Sequence, residues 1–225
     1  MIKVENINVY NFEAAIRGLR QPYNSQAKSD SKWSQTFPFS EEEEFVIGEN
    51  DMALMQRLFK AGTEHRKFMR QILISMDITA PLYWYKQFDT YAVGVTKNSQ
   101  STMHTIAKKP FELSDFSFDR EDGTQINAEN DDVKFWNIQH ILKTLNILRN
   151  TYLESNDKND WRFLIQFLPE SYNQTRTVTM NYEVVANIIR QRRNHKLCEW
   201  DAFIDILLQK LPYLQEITGE KPKND

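Results

Sequence analysis

With one cysteine in 225 residues the chain has no intramolecular disulfide. Its four histidines, His65, His104, His140 and His195, lie too far apart for a metal-ligand motif, so no metal is expected. Nor does one sign of charge dominate: 28 Lys+Arg face 31 Asp+Glu, a formal net charge of -3. That balance lacks the cationic excess that non-specific duplex binding needs and disfavours a nucleic-acid partner, although a local basic patch is still allowed. No apolar run reaches the ~18 residues of a membrane span. The opening MIKVENINVYNFEAAIRG holds no uninterrupted apolar segment of the signal-peptide kind. These absences predict a soluble, unprocessed protein of a reducing cytoplasm. GxGxxG, Walker, HExxH, GxSxG and CxxC spacings are missing as well, so no familiar catalytic motif assigns a reaction.

What is present is an ordinary globular composition, 40% hydrophobic and 26% charged, at a length that buries a stable core. Ile2-Lys3-Val4-Glu5 alternates as a half-buried strand does, and Asn11 precedes Phe12 to Ile16 as the cap of a helix. Arg20 to Glu49 is polar and turn-forming, and its acidic run Glu41 to Glu44 reads as solvated loop. Met52, Met55, Leu58 and Phe59 mark a helix capped by Asn50 or Asp51 and stopped by Gly62. Ile72, Ile74, Met76 and Ile78 then share one face of a strand ending at Ala80-Pro81. There Thr79 as cap and Pro81 as first turn start a short aromatic helix, Leu82 to Phe88.

Val93 to Thr102 is small and polar, hence a loop with backbone amides and hydroxyls to offer. Val133, Trp136, Ile141, Leu145, Leu148 and Tyr152 mark a long amphipathic helix capped by Asp131 or Asp132. Thr175 to Asn181 is β-branched enough for a strand. Two helical stripes follow, Val184 to Ile189 and Trp200 to Leu211, the second stopped by Pro212. The expectation is a single α+β domain over residues 1–225, with a long surface segment around 104–132.

Two places concentrate polar groups: the loop after the aromatic helix and the basic cluster Arg190 to Lys196. Arginines with a histidine neutralise a phosphate, and hydroxyl residues complete its coordination, so a nucleotide is a reasonable ligand. The other reading of Arg190, Arg192 and Arg193 is a solvated helix face. For Trp84, Tyr85 and Phe88 the choice is core packing or stacking on a cofactor. Cys198 lies inside a helical pattern and reads as an inert thiol. His65, behind Gly62, is either a ligand contact or a surface histidine.

One stretch joins Ala80-Pro81, the aromatic helix and Lys86-Gln87 to Asn98-Ser99-Gln100-Ser101-Thr102; another joins Leu168-Pro169 to Asn181, Asn187, Arg192 and His195 to Glu199. Together they resemble the flavin-dependent thymidylate synthases, or thymidylate synthase complementing proteins. That family's runs are Ala-Pro, Arg-Gln and Asn-Glu-x-Ser-x-Arg, then Leu-Pro, two asparagines, an arginine and His-Ala-Gln-x-Glu. The resemblance implies a central, mostly antiparallel sheet flanked by helices. It implies reductive methylation of dUMP or a related pyrimidine nucleotide at C5, with FAD as cofactor and NADPH and methylenetetrahydrofolate as cosubstrates. A homotetramer with sites at subunit junctions is implied too.

Carried over residue by residue, Gln87 and Ser101 match positions that bind deoxyuridylate, with Ser99 and Gln100 beside them as candidates. Arg192 matches the arginine that clamps the pyrimidine and is the candidate catalytic residue. It is placed to within one residue, since the match needs a gap before His195. Asn181, Asn187 and His195 match positions lining the flavin site. Thr90 and Tyr91, where the family has part of its Arg-His-Arg motif, and His65 are further candidate cofactor contacts.

The chain departs from the pattern at its cations. Arg-His-Arg falls near Asp89-Thr90-Tyr91, Met103 stands for the arginine of Ser-x-Arg, and Ile165 for the arginine before Leu-Pro, with Arg162 about one helical turn earlier. Losing a buried cation that contacts phosphate removes a few kcal/mol of binding. Lys86, Lys97, Arg176, Arg190 and Arg193 are the cations available to restore it. Two functions from different classes follow: a divergent FAD-dependent methyltransferase, or a catalytically degenerate nucleotide-binding or protein-interaction module. A nucleic-acid reader built on Arg190 to Lys196 is the third.

Overall fold

A computed structural model of the chain describes residues 2–35 and 43–223. In chain order it runs β1 (Lys3–Tyr10), α1 (Phe12–Arg20), β2 (Lys32–Gln35), β3 (Glu43–Val46), α2 (Glu49–Lys60), β4 (Leu73–Pro81), α3 (Leu82–Phe88) and β5 (Thr96–Ser99). There follow α4 (Thr102–Thr105), α5 (Asp132–Ser155), α6 (Lys158–Phe167), β6 (Asn173–Asn181), α7 (Tyr182–Arg192), α8 (Cys198–Lys210) and α9 (Leu214–Thr218). Four strands form one sheet in the order β1-β4-β6-β5, and β2 pairs antiparallel with β3 in a second. Helices and antiparallel sheet thus make up the α+β fold that the sequence predicts. Two compact units contain these elements. One comprises Met1–Lys3, Asp77–Thr90 and Lys97–Thr177, the other Val4–Met76, Tyr91–Thr96 and Val178–Asp225.

In the first unit, α5 begins where its sequence cap predicts: Asp131 accepts from the Lys134 backbone N–H at 3.2 Å and pairs with Lys134 Nζ at 2.6 Å. Helices α5 and α6 pack together, and Leu145 and Leu164 are buried with Ile106, Phe111 and Phe116. The segment expected on the surface therefore places three apolar side chains in this cluster. Asn146 fixes it by bonding both the N–H and the C=O of Phe111, at 2.8 and 3.0 Å. Helix α3 starts at Pro81 without help from Thr79, whose hydroxyl instead lies 2.8 Å from that of Thr175. Its first N–H groups, on Leu82 and Tyr83, donate to Tyr172 and Glu170 carbonyls. Trp84, Tyr85 and Phe88 are buried to 1% exposure or less, which resolves the aromatic helix in favour of core packing. Burial of each such ring contributes roughly 1.5–3 kcal/mol.

In the second unit the alternation of β4 holds: Ile72, Ile74 and Met76 are inaccessible to solvent. Helices α7 and α8 pack together and bury Val185, Ile188, Ile189, Trp200, Phe203, Ile204 and Leu207. The start of α2 differs from expectation. Gly48 is the capping position, and Asp30 supplies the cap from outside, accepting from Asn50 and Asp51 N–H at 2.9 and 3.1 Å. A Cβ on Gly48 would lie 2.2 Å from the Asp30 Cγ, so glycine is what lets that carboxylate reach the helix. Asn11 does occupy the capping position of α1, in the left-handed region, yet its side chain donates to Gln71 O at 2.8 Å instead.

The polar stretches read as loops contain strands. β2 and β3 fall within residues 20–49, with Trp33 opposite Phe45 and their rings 5.4 Å apart, and β5 falls within 93–102. Of the acidic run, Glu43 and Glu44 belong to β3, while Glu41 and Glu42 lie outside the described residues.

Candidate functional site

The candidate residues divide between the units, and each group is built by its own elements. In the first unit α3 ends at Asp89, whose Oδ1 accepts from Arg176 Nη1 at 2.8 Å and from Lys97 Nζ at 3.1 Å. Both cations rest on rings. The Arg176 guanidinium lies 3.7 Å from the Tyr85 ring centroid, and Lys97 Nζ lies 4.9 Å from that of Phe88. Arg176 Nε donates to Gln174 Oε1 at 2.9 Å, and Gln174 Nε2 donates in turn to Gln100 O at 2.7 Å. The run Ser99 to Thr102 is thereby wired through Gln174 and Arg176 to Asp89.

Burial works to raise the Asp89 pKa, but hydrogen bonds from Arg176 and Lys97 and their charges outweigh it and hold the carboxyl below its usual range. Burial pushes the Tyr85 phenol far up, and its O–H donates to Ile78 O at 2.6 Å, so it takes no part in proton transfer near neutrality. Gln87 and Ser101 are half-buried, and Ser99, Gln100 and Thr90 are exposed. Thr90 Oγ1 donates to Gln87 O at 2.7 Å.

In the second unit, Arg192 at the end of α7 donates from Nε to the Tyr91 hydroxyl at 3.0 Å, and that hydroxyl donates to Gln191 Oε1 at 3.0 Å. The guanidinium carbon is 5.0 Å from the Trp200 ring centroid and 5.6 Å from that of Tyr91. His195 meets Trp200 edge-on at 6.4 Å, and its Nδ1 accepts from the Leu197 N–H at 3.0 Å. That bond leaves the ring proton on Nε2 in the neutral tautomer. Asn181 caps α7, its Oδ1 accepting from Val184 N–H at 3.1 Å. Gly94, at φ +74, would bring a Cβ to 3.2 Å from Asn181 Nδ2. Asn187 is half-buried and accepts from Arg190 Nη2 at 3.3 Å. His65 is exposed beyond α2.

No family model matches the chain. No curated protein matches it by sequence. Solved structures match it by fold. Thymidylate synthase X (ThyX) from Helicobacter pylori, solved with FAD and dUMP, has a TM-score of 0.66 to this chain at 17% identity, with 98% of each chain covered. A second structure of flavin-dependent ThyX from Helicobacter pylori, complexed with FAD and dUMP, gives 0.65 at 16% identity and 97% coverage of each. The UMP/dUMP methylase PolB from Streptomyces cacaoi, bound with 5-Br dUMP, gives 0.67 at 10% identity, covering 99% of this chain and 96% of that one. The chain has the ThyX fold.

On this ThyX fold the second unit gathers Tyr91, Arg192 and His195 into one cluster, while Asn181 and Asn187 lie on α7 itself. Sequence reasoning missed Trp200 and Gln191 as members, because Trp200 reads as core and Gln191 has no distinguishing neighbour. It also missed Asp89 and Gln174 as the residues that organise the first unit's cations. The remaining cations are engaged elsewhere: Lys86 pairs with Glu170, Arg190 bonds Asn187, and Arg193 pairs with Asp205 at 2.6 Å. Cys198 is half-buried with its thiol directed at Glu199 Oε2, 3.8 Å away. Among the described residues no three His, Cys, Asp or Glu side chains gather as a metal-holding group, and no helix is long and apolar enough to cross a membrane.

Proposed function

We propose that this chain is a divergent flavin-dependent nucleotide methylase that acts, in the manner of a thymidylate synthase, at C5 of dUMP or a related pyrimidine nucleotide. The observation that carries this reading is the cluster of Tyr91, Gln191, Arg192, His195 and Trp200 on a ThyX fold. A planar, anionic ligand needs a ring to stack on and donors for its oxygens; the half-buried Tyr91, Arg192 and His195 offer these, while the fully buried Trp200 backs the Arg192 guanidinium. A flavin fits the same donor set: Asn181 uses its oxygen as a helix cap, and the bare Cα of Gly94 leaves its Nδ2 approachable. Hydride transfer from NADPH is the chemistry that a bound flavin would bring.

In this reading Arg192 clamps the pyrimidine, and its guanidinium, oriented by the Tyr91 hydroxyl, stabilises negative charge developing on the ring carbonyl as C5 is activated. Gln87, Ser99, Gln100 and Ser101 bind the nucleotide. His65, Thr90, Tyr91, Asn181, Asn187 and His195 line the flavin site. Methylenetetrahydrofolate donates the carbon, and a cytoplasmic homotetramer builds its sites at subunit junctions.

A second reading, a nucleotide-binding or protein-interaction module without catalysis, is favoured by Asp89, which puts a carboxylate where the resemblance calls for a cation. One spectrum separates the two. Protein incubated with FAD and desalted is expected to keep flavin absorption bands that shift when dUMP is added. A colourless protein after that treatment overturns the enzymatic reading.

A further inference from the structure

The Asp89 cluster has an unequal build. Its two cations are the enclosed members: the side chains of Arg176 and Lys97 are 12% and 15% exposed, while that of Asp89 is 48% exposed. Arg176 is held from below by the Tyr85 ring and from the side by Gln174. Lys97 is held by the Phe88 ring and by Phe88 O at 3.3 Å. Asp89 alone faces solvent, at the end of α3, and its Oδ1 takes both ion pairs. Counted together, two cations and one carboxylate leave a net charge of +1. Each cation keeps a ring and a hydrogen-bond acceptor besides the carboxylate.

We infer that Lys97 and Arg176 form an oxyanion subsite for a phosphate monoester dianion, and that Asp89 is its resident counter-ion, displaced when the phosphate enters. The charge arithmetic sets the selectivity. A dianion brings twice the charge of the carboxylate and three oxygens in place of one, so it gains from both cations more than Asp89 does. A monoanion gains nothing over Asp89. Returning a half-exposed carboxylate to water carries little desolvation penalty, whereas moving either enclosed cation would uncover a ring. The subsite therefore discriminates for a terminal phosphate and against the uncharged nucleoside.

This inference rests on the nucleotide reading above for the identity of the ligand, but its test uses neither flavin nor turnover. Inorganic phosphate, dUMP and uridine are titrated calorimetrically into the full-length chain and into Asp89→Asn, which keeps the shape and removes the charge. Asp89→Asn is expected to bind inorganic phosphate roughly tenfold more tightly than the wild type, with uridine unaffected. Adding Lys97→Gln to Asp89→Asn is expected to erase the gain. Equal phosphate affinity in wild type and Asp89→Asn, or a gain that survives Lys97→Gln, overturns the subsite. If Asp89→Asn fails to fold, Lys97→Gln alone decides: phosphate binding weaker than the wild type supports the subsite, and unchanged binding refutes it. A gain for phosphate without any binding of dUMP upholds the subsite and removes the nucleotide methylase reading. Flavin retention with equal affinity for dUMP and uridine does the reverse.

Discussion

Asp51→Ala should be among the most damaging single substitutions in the second unit. Asp51 is fully buried in α2, and its carboxylate accepts from Arg20 Nε at 2.5 Å, Ser29 Oγ at 2.7 Å and Ser31 Oγ at 2.6 Å. The Asp30 and Ser31 N–H groups donate to it as well, at 3.2 and 3.1 Å. Removing it strands the Arg20 guanidinium, whose side chain is only 6% exposed, and leaves four further donors to find water. Breaking a buried ion pair from one side costs about 3–5 kcal/mol, which for a chain of this size is roughly 10 °C or more in Tm. Chemical denaturation read by circular dichroism measures it. The double change Arg20→Met with Asp51→Leu should recover part of the loss, because it removes the orphaned charge.

The same site sets an acid limit. Burial alone would raise the Asp51 pKa, but hydrogen bonds from Ser31, Ser29 and Arg20 outweigh it and hold the carboxyl below its ordinary 3.8. The folded value is the lower one, so this contribution is complete above the unfolded pKa and is lost as pH falls through the folded pKa. Stability of the wild type should therefore drop below about pH 4 more steeply than that of Asp51→Asn. A cost for Asp51→Ala under about 1 kcal/mol would refute the reasoning, since it would mean that Arg20 finds water without the carboxylate.

Other expectations concern the second unit's cluster. Arg192→Ala should weaken dUMP binding by roughly tenfold or more while shifting Tm little, and Arg192→Lys should recover only part of the loss, because an ammonium lacks the planar fork; unchanged affinity removes Arg192 from the site. Gly94→Ala places a side chain at φ +74 and within 3.2 Å of Asn181 Nδ2, so it should cost about 1–2 kcal/mol of stability and lower FAD retention more than Val93→Ala, whose side chain is 92% exposed. Equal FAD retention in the two variants would show that the Gly94 approach is not used.

How far the sequence carried varied with how local the signal was. Strand β4 and helix α5 were legible because their causes are short-range: strict alternation from Ile72 to Ile78, and Asp131 three residues before the amide it caps. β2, β3 and β5 were not, since Lys32-Trp33-Ser34-Gln35 and Thr96-Lys97-Asn98-Ser99 carry too few apolar residues to alternate. Helix α6 escaped because the exposed Phe163 and Phe167 blur the stripe formed by Trp161, Leu164, Ile165 and Leu168. At the candidate site, the resemblance supplied Tyr91, Arg192 and His195, but it could not supply their pairing. Arg192 meets Tyr91 across 101 positions, and Arg176 meets Asp89 across 87.

Those long-range pairings change how Asp89-Thr90-Tyr91, the stretch set against the Arg-His-Arg motif, is read. Reading the motif alone, Asp89 and Tyr91 subtract cations from the site. In the structure each orients a cation that comes from elsewhere: Asp89 holds Lys97 and Arg176, and Tyr91 holds Arg192. The Asp89 carboxylate is half-exposed, so each of its ion pairs is worth about 1 kcal/mol or less, and the Tyr85 and Phe88 rings share in fixing where the two cations point. Positive charge therefore stands beside both positions. Formal net charge is blind to such placement, and so is a motif that asks which residue stands at a position without asking which residue it holds.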